Sequence, residues 1–253
     1  MRNTFVLLFF TCFLFQSCGL KKDVIYFQDN ESSQLEMINY SPAKIQSNDI
    51  LSISVSSIVP EAAIPYNMDK YSIPINNSDL LKLQGYLVSK SGAIVFPVLG
   101  NIHVAGKTPS VLETELKGRL QKGGHLLKPI VNVRVLNNKI TILGEVNNPG
   151  TYNYSESQLS IPQAIGYAGD LTIQGNRKDI LLIREENGKR KVFNIDLTKT
   201  DWFSQPYYYI KQNDLLVVNP NTSKVRSAGL FGKATDLLSL FSVILSTTVL
   251  ITN

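Results

Sequence analysis

The stretch IVNVRVLNNKITILGEVNNPGTYNY, Ile130 to Tyr154, holds a strand, the joint between two modules and the opening of the second module. From Ile130 to Leu136, Val131, Val133 and Val135 face one way and Asn132 and Arg134 the other, since successive side chains of a strand alternate between its faces. Asn137-Asn138 then reads as a turn and a module boundary, short enough to hold its neighbours in fixed relation. Ile140 to Val146 is the next strand. Asn147-Asn148-Pro149-Gly150 is expected to form a type II turn, with proline presetting φ and glycine supplying the positive φ that follows, before the chain resumes at Thr151 to Tyr154.

Upstream, Thr108 can cap a helix whose first turn holds Pro109, where a missing N–H costs nothing. Val111, Leu112, Leu116 and Leu120 recur on one face, and Gly123-Gly124 stop it. Gly85 to Ser89 and Ala93 to Leu99 flank Ser91-Gly92 as an expected hairpin, with Pro97 at an edge or end because it cannot donate to a ladder. Residues 60–83 contain three prolines and Asn76-Asn77 and read as a loop. In Ile50 to Val55, Leu51, Ile53 and Val55 alternate with serines, the period of a half-buried strand. Strand, hairpin, helix and strand make an α+β module over 45–137.

Downstream, Ser160 and Gln163 form a possible capping box for a short helix through Ala168, with Gly169 as its stop. Ile180 to Arg184 and Lys191 to Ile195 surround Glu186-Asn187-Gly188 as a hairpin, and Asp214 to Val218 closes a β-grasp-like unit over 138–221.

Both ends read as membrane signals. Arg2 supplies a positive start and Phe5 to Phe15 an apolar run too short to span, so 1–17 reads as a signal peptide. The sequence Phe15-Gln16-Ser17-Cys18 resembles a bacterial lipoprotein site, at which cleavage precedes the cysteine and its sulfur is acylated. Residues 18–44 are then a lipid-anchored tether, polar apart from Val24, Ile25, Tyr26 and Phe27. At the other end, 222–253 is a linker and an amphipathic helix. From Leu237 to Ile251 there is no charge, and a helix from Leu230 onward would cross a bilayer core of about 30 Å. Thr235, Ser239, Ser242 and Ser246 share an arc with Asn253, while Leu237, Leu240, Phe241, Ile244 and Leu245 take the rest. One polar face is costly in lipid for a single helix, and a ring of copies removes that cost by turning the hydroxyls to a shared lumen. The alternative is an amphipathic helix docked on a soluble core.

Composition narrows the class. With 253 residues, a net charge of +5, 43% hydrophobic and 18% charged residues, the chain is an ordinary globular mixture, and scattered lysine and arginine argue against nucleic acid as a partner. His103 and His125 are the only histidines, and no H-E-x-x-H, nucleophile elbow, P-loop or cysteine metal cluster is present. Glu113, Glu115, Asp179, Glu185 and Asp214 are spread over unrelated elements, with no pair placed for glycoside hydrolysis. Hence no catalytic, cofactor or metal residue is assigned, and the chain is not expected to be an enzyme. Trp202, Phe203, Tyr207, Tyr208 and Tyr209 could stack on sugars, or pack under a loop or between subunits.

The run Asn48-Asp49-Ile50-Leu51-Ser52-Ile53, then Gly92 to Ile102 with Gly106-Lys107-Thr108, then Pro129 to Val133, resembles the polysaccharide export domain of Wza-type capsule and exopolysaccharide exporters. Gly144 to Tyr152, Ala164 to Asp170 and Asn213 to Val218 resemble the soluble-ligand-binding β-grasp (SLBB) domain that follows in that family. The likeness covers 41–221. It implies a lipid-anchored outer-membrane protein with periplasmic domains, assembling as a homo-oligomeric ring whose terminal helices form a barrel. It also implies polysaccharide as cargo and an inner-membrane, tyrosine-kinase-like polysaccharide copolymerase as partner. Only one β-grasp-like unit is present where larger exporters carry two, and Asp170 stands where a second glycine is common. A lipid-anchored glycan-binding or scaffold protein that docks on another outer-membrane component without a pore is the alternative.

Overall fold

The computed structural model describes residues 21–29, 42–68, 82–186, 188–227 and, near the end, 238, 239, 242, 243, 246 and 247. The expected signal peptide, Cys18, Asn187 of the hairpin, Thr235 and most of the apolar tail lie outside these residues, as does 69–81 of the expected loop.

The first module is built on β1 (Ile50–Ser56), flanked by β2 (Tyr86–Leu87) and β5 (Ile130–Val135), both antiparallel to it. Leu51, Ile53 and Val55 are buried and the intervening serines exposed, as the alternation predicts. Between β2 and β5 come β3 (Ala93–Phe96), β4 (Gly100–His103) and a helix of 14 residues. The predicted hairpin is redistributed. A turn does form at Ser89 to Gly92, but β2 pairs with β1, and the strand partner of β3 is β4. Pro97 falls just past the end of β3, where its missing donor is harmless. The region expected as loop begins with a helix, α1 (Pro60–Ala63), and a 3-10 turn at Ile64–Tyr66.

The long helix, α2 (Pro109–Lys122), starts at Thr108, whose hydroxyl accepts from Val111 N at 3.3 Å. It buries Leu112, Leu116 and Leu120 completely, each worth about 1.5–3 kcal/mol against exposure. Val111, assigned to that face from spacing, is instead 53% exposed, because the packed stripe follows the i, i+4 row alone.

The second module is a five-stranded mixed sheet in the order β10, β9, β12, β6, β7. Its strands are β6 (Lys139–Gly144), β7 (Gly150–Asn153), β9 (Gly175–Glu186), β10 (Lys189–Ile195) and β12 (Leu215–Pro220). First and last strands, β6 and β12, run parallel at its centre, as a β-grasp requires. Two short strands, β8 (Leu159–Ser160) and β11 (Tyr209–Ile210), pair beside α3 (Ile161–Tyr167), and the capping box of Ser160 and Gln163 is formed. The chain continues into α4 (Thr222–Ser227).

The segment at Asn147 to Gly150 departs from the expected type II turn. Gly150 is not in the left-handed region and opens β7. The positive φ falls earlier, at Gly144, where a Cβ would stand 2.1 Å from Val218 O, so glycine is demanded by the approach of β12. Asn147 N donates to Asp170 O and Asn148 N to Ala168 O, while Asn147 Nδ2 donates to Gly169 O at 2.6 Å. The turn is therefore shaped by the end of α3 rather than by its own proline. Asp170 itself has φ 74, which explains why glycine suits that position.

Residues 21–29, expected as part of a loose tether, lie against the second module. Phe27 N donates to Leu197 O and Gln28 N to Thr198 O, Tyr26 OH donates to Asp170 Oδ1 at 2.6 Å, and Lys178 pairs with Asp23 at 2.7 Å. Phe27 packs edge-on against Phe203 with centroids 5.2 Å apart, and Arg177 lies over the Tyr26 ring.

Candidate functional site

The two modules meet at Asn137-Asn138. Asn137 Oδ1 accepts from Ile50 N and its Nδ2 donates to Asn48 O, which ties the joint to the start of β1. Tyr154 N donates to Asn138 O and Asn213 N to Lys139 O, which ties it to the second sheet. Between the modules opens a cavity of about 1300 Å³. Its wall takes Asp49 from the first module, Tyr154 from the loop after β7, and Lys211 and Gln212 from the turn before β12.

Asp49 is 1% exposed. Its Oδ2 accepts from Gln46 N at 2.8 Å, within a turn that Asn48 enters at φ 69, but Oδ1 has no hydrogen-bond partner among the described residues. Burial pushes its carboxyl up to about 6, against the smaller lowering effects of Gln46 N–H and the facing Gln212 amide. Tyr154 is also pushed up, first by burial and then by the Asp214 carboxylate. In the second module Asp214 is satisfied: Arg184 Nε and Nη2 donate to it at 3.0 and 2.7 Å, and Lys211 N at 2.8 Å. Arg184 also donates to Tyr209 O at 2.7 Å.

The carboxylates singled out in the sequence have structural partners. Glu113 accepts from Val133 N, Glu115 pairs with Lys107 and Arg119, Asp179 accepts from Asn194 and Asn219, and Glu185 pairs with Arg190. His125 packs edge-on against Tyr66 with centroids 5.8 Å apart, and His103 is exposed at the end of β4.

The aromatic cluster is a wall of the second core. Trp202 is 2% exposed and stacks on Tyr208 with centroids 5.6 Å apart, its Nε1 donating to Lys199 O, so it offers no free face to a sugar. Tyr207 stacks on Phe193 at 4.6 Å, and Tyr208 and Tyr209 meet edge-on; these three tyrosines are half-buried.

Of the tail residues assigned to a lumen face, Ser239, Ser242 and Ser246 are described and helical. Ser242 Oγ donates to Ser239 O at 2.8 Å and Ser246 Oγ to Val243 O at 2.9 Å, so both hydroxyls are returned to the helix backbone. Leu238 and Val243 are exposed. Among the described residues, no helix is long and apolar enough to cross a membrane. No group of three or more metal-ligating side chains occurs among them either.

Sequence reading overlooked Asp49, Gln212 and the docking of Asp23, Tyr26 and Phe27. An acidic residue directly before a buried strand was the available signal for the first. The others depend on contacts across 144 to 170 positions, which periodicity does not encode.

Residues 39–136 match the polysaccharide biosynthesis/export protein family, and residues 139–194 match the SLBB domain. The chain belongs to the polysaccharide export protein family. The SLBB match stops within β10, although β12 completes the sheet in space. Over 197 residues the chain is 28% identical to the EPS I polysaccharide export outer membrane protein EpsA of Ralstonia solanacearum, covering 75% of this chain and 51% of that relative. It is 34% identical over 156 residues to the protein of the same name from Ralstonia nicotianae, covering 57% and 39%. The capsule polysaccharide export protein BexD of Haemophilus influenzae is 29% identical over 139 residues, covering 51% and 34%. The chain thus spans between about a third and a half of the length of these relatives.

Proposed function

We propose that this chain is a subunit of an outer-membrane machine that carries capsular polysaccharide or exopolysaccharide to the cell surface. The observation that carries this reading is the order of its parts: an export domain joined by two asparagines to an SLBB domain, with the relatives named above being polysaccharide export proteins. In this reading Cys18 is acylated and anchors the chain to the outer membrane, the two modules stand in the periplasm, and copies close into a ring. The tail, with Thr235, Ser239, Ser242 and Ser246, forms one stave of a barrel. An inner-membrane polysaccharide copolymerase delivers the glycan, and the chain needs no covalent chemistry of its own, because synthesis or an ATP-using partner drives movement.

One observation favours a second reading. Ser242 and Ser246 donate to their own backbone, which lets that face rest against protein or lipid rather than water. A scaffold docked on another outer-membrane component would use the tail in that way. Deleting the gene and weighing the detergent-extracted protein by light scattering tests both readings. Loss of surface glycan with a ring-sized mass supports the export channel; loss with a monomer or dimer supports the scaffold. Normal surface glycan in the deletion strain overturns export.

A further inference from the structure

The second module has one pole at which both ends of the chain leave it. On one side, segment 21–29 grips the start of β9: Asp23 pairs with Lys178 at 2.7 Å, Tyr26 OH donates to Asp170 Oδ1 at 2.6 Å, and the Arg177 guanidinium lies over the Tyr26 ring. On the other, the end of β12 is tied to the residues just before β9, with Asn221 N donating to Gln174 O at 2.7 Å and Asn221 Nδ2 to Ile173 O at 3.1 Å. There α4 begins, exposed along its whole length. The first module is attached at the opposite end of the sheet, where β6 and β12 start.

Exposed aliphatic side chains surround the two exits. Val24 and Ile25 stand on the docked segment, Ile173 lies before β9 at 67% exposure, and Val225 lies on α4 at 58%. Ionic groups beside them are neutralised in place, Lys178 by Asp23 and Lys224 by Glu145 at 3.7 Å. Cys18 precedes the docked segment by three residues, a reach of about 10 Å at full extension. The apolar tail follows α4.

We propose that this pole is a bilayer-docking surface, with Val24, Ile25, Ile173 and Val225 seated in the headgroup layer of a phospholipid leaflet. The proposal rests on the acylation of Cys18 in the export reading. A short tether on one side of the pole and the tail on the other leave the module little freedom to turn this face away from the leaflet. Each aliphatic contact is weak by itself, and tethering makes it effective by keeping its local concentration high.

The test uses the full mature, acylated chain in nanodiscs of phosphatidylethanolamine and phosphatidylglycerol. A nitroxide label is placed at Ile173→Cys or Val225→Cys, and at Val95→Cys or Val192→Cys as controls, which are equally exposed but lie on β3 and in the middle of β10. The chain has two cysteines, and with Cys12 lost in the signal peptide and Cys18 acylated no other thiol competes for the label. Relaxation by oxygen, which concentrates in lipid, is compared with relaxation by a water-soluble nickel chelate. The oxygen-to-nickel ratio at 173 and 225 is expected to exceed that at 95 and 192 several-fold. Equal ratios at all four positions in an acylated chain overturn the docking surface and leave the export reading intact. Labels at 173 and 225 shielded from both reagents overturn it too, because protein then covers the pole. A mature chain whose Cys18 carries no acyl group by mass spectrometry removes the anchor and this proposal with it, while surface glycan in the deletion strain decides export separately.

Discussion

Asp49 and Asp214 stand on either side of the joint, one per module, and each is 1% exposed. Asp214 accepts two donors from Arg184 and one from Lys211 N. Asp49 accepts one backbone N–H and faces the Gln212 amide, with no cation beside it. Burial raises both carboxyls, but in Asp214 the guanidinium opposes that rise, whereas Asp49 has only the Gln46 N–H and the Gln212 amide. Burial alone thus says little about what a carboxylate is for. Its donors decide: Asp214 is held by a buried guanidinium and a backbone N–H, whereas Asp49 has a backbone N–H and a facing amide but no cation.

The largest effect expected from this contrast is at the satisfied group. Asp214→Ala leaves the Arg184 guanidinium buried without its anion, and frees the turn at Lys211 as well. A loss of about 3–5 kcal/mol is expected, read as a fall in the urea midpoint of the second module. A loss below about 1 kcal/mol would mean that Arg184 has another anchor and that the contrast is false.

The opposite sign is expected at the unsatisfied one. With a folded value of about 6, above the ordinary carboxylate value, Asp49 holds its proton more tightly folded than unfolded. Its contribution is therefore fully present below about pH 4 and is lost as pH rises through 6. Asp49→Asn removes this slope, so at pH 7.5 the variant should be more stable than wild type by about 1–3 kcal/mol, with the difference shrinking at pH 4. Urea unfolding at both pH values reads it. A variant less stable than wild type at pH 7.5 would show that the Gln46 N–H and the Gln212 amide outweigh the cost of burial.

The sequence made some of this legible and hid the rest for physical reasons. Alternation exposed β1 and β5, because a strand with one buried face writes its period into the chain, and Thr108 and Ser160 marked both helix starts, because caps are local. Strand pairing was less visible. Ser91-Gly92 signals a turn, yet says nothing of whether the strands beside it pair with each other or elsewhere, and β3 chose β4. Pro149-Gly150 misled for the same reason, since the bonds from Asn147 and Asn148 to residues 168–170 outweigh local preference. The aromatic cluster was seen as a cluster, but the burial of Trp202 depends also on β8 and the docked 21–29 segment, both distant in sequence.

The smallest effect concerns Asp170, a third aspartate, exposed and at a left-handed position, whose Oδ1 accepts Tyr26 OH and Leu171 N. Burial and this carboxylate raise the Tyr26 phenol far above its working range, so the phenol stays a donor at any physiological pH. Tyr26→Phe removes that donor but keeps the ring under Arg177 and beside Phe27. Because water can replace the lost bond at an exposed acceptor, global stability should fall by no more than about 1 kcal/mol. The local effect should be larger: Phe27 and Gln28 still bond to Leu197 and Thr198, but their amides should exchange hydrogen several-fold faster, while those of β9 and β12 should not change. Uniform acceleration across the second module would instead make the segment part of that module's folding unit, and unchanged exchange would leave Tyr26 without a role in holding it.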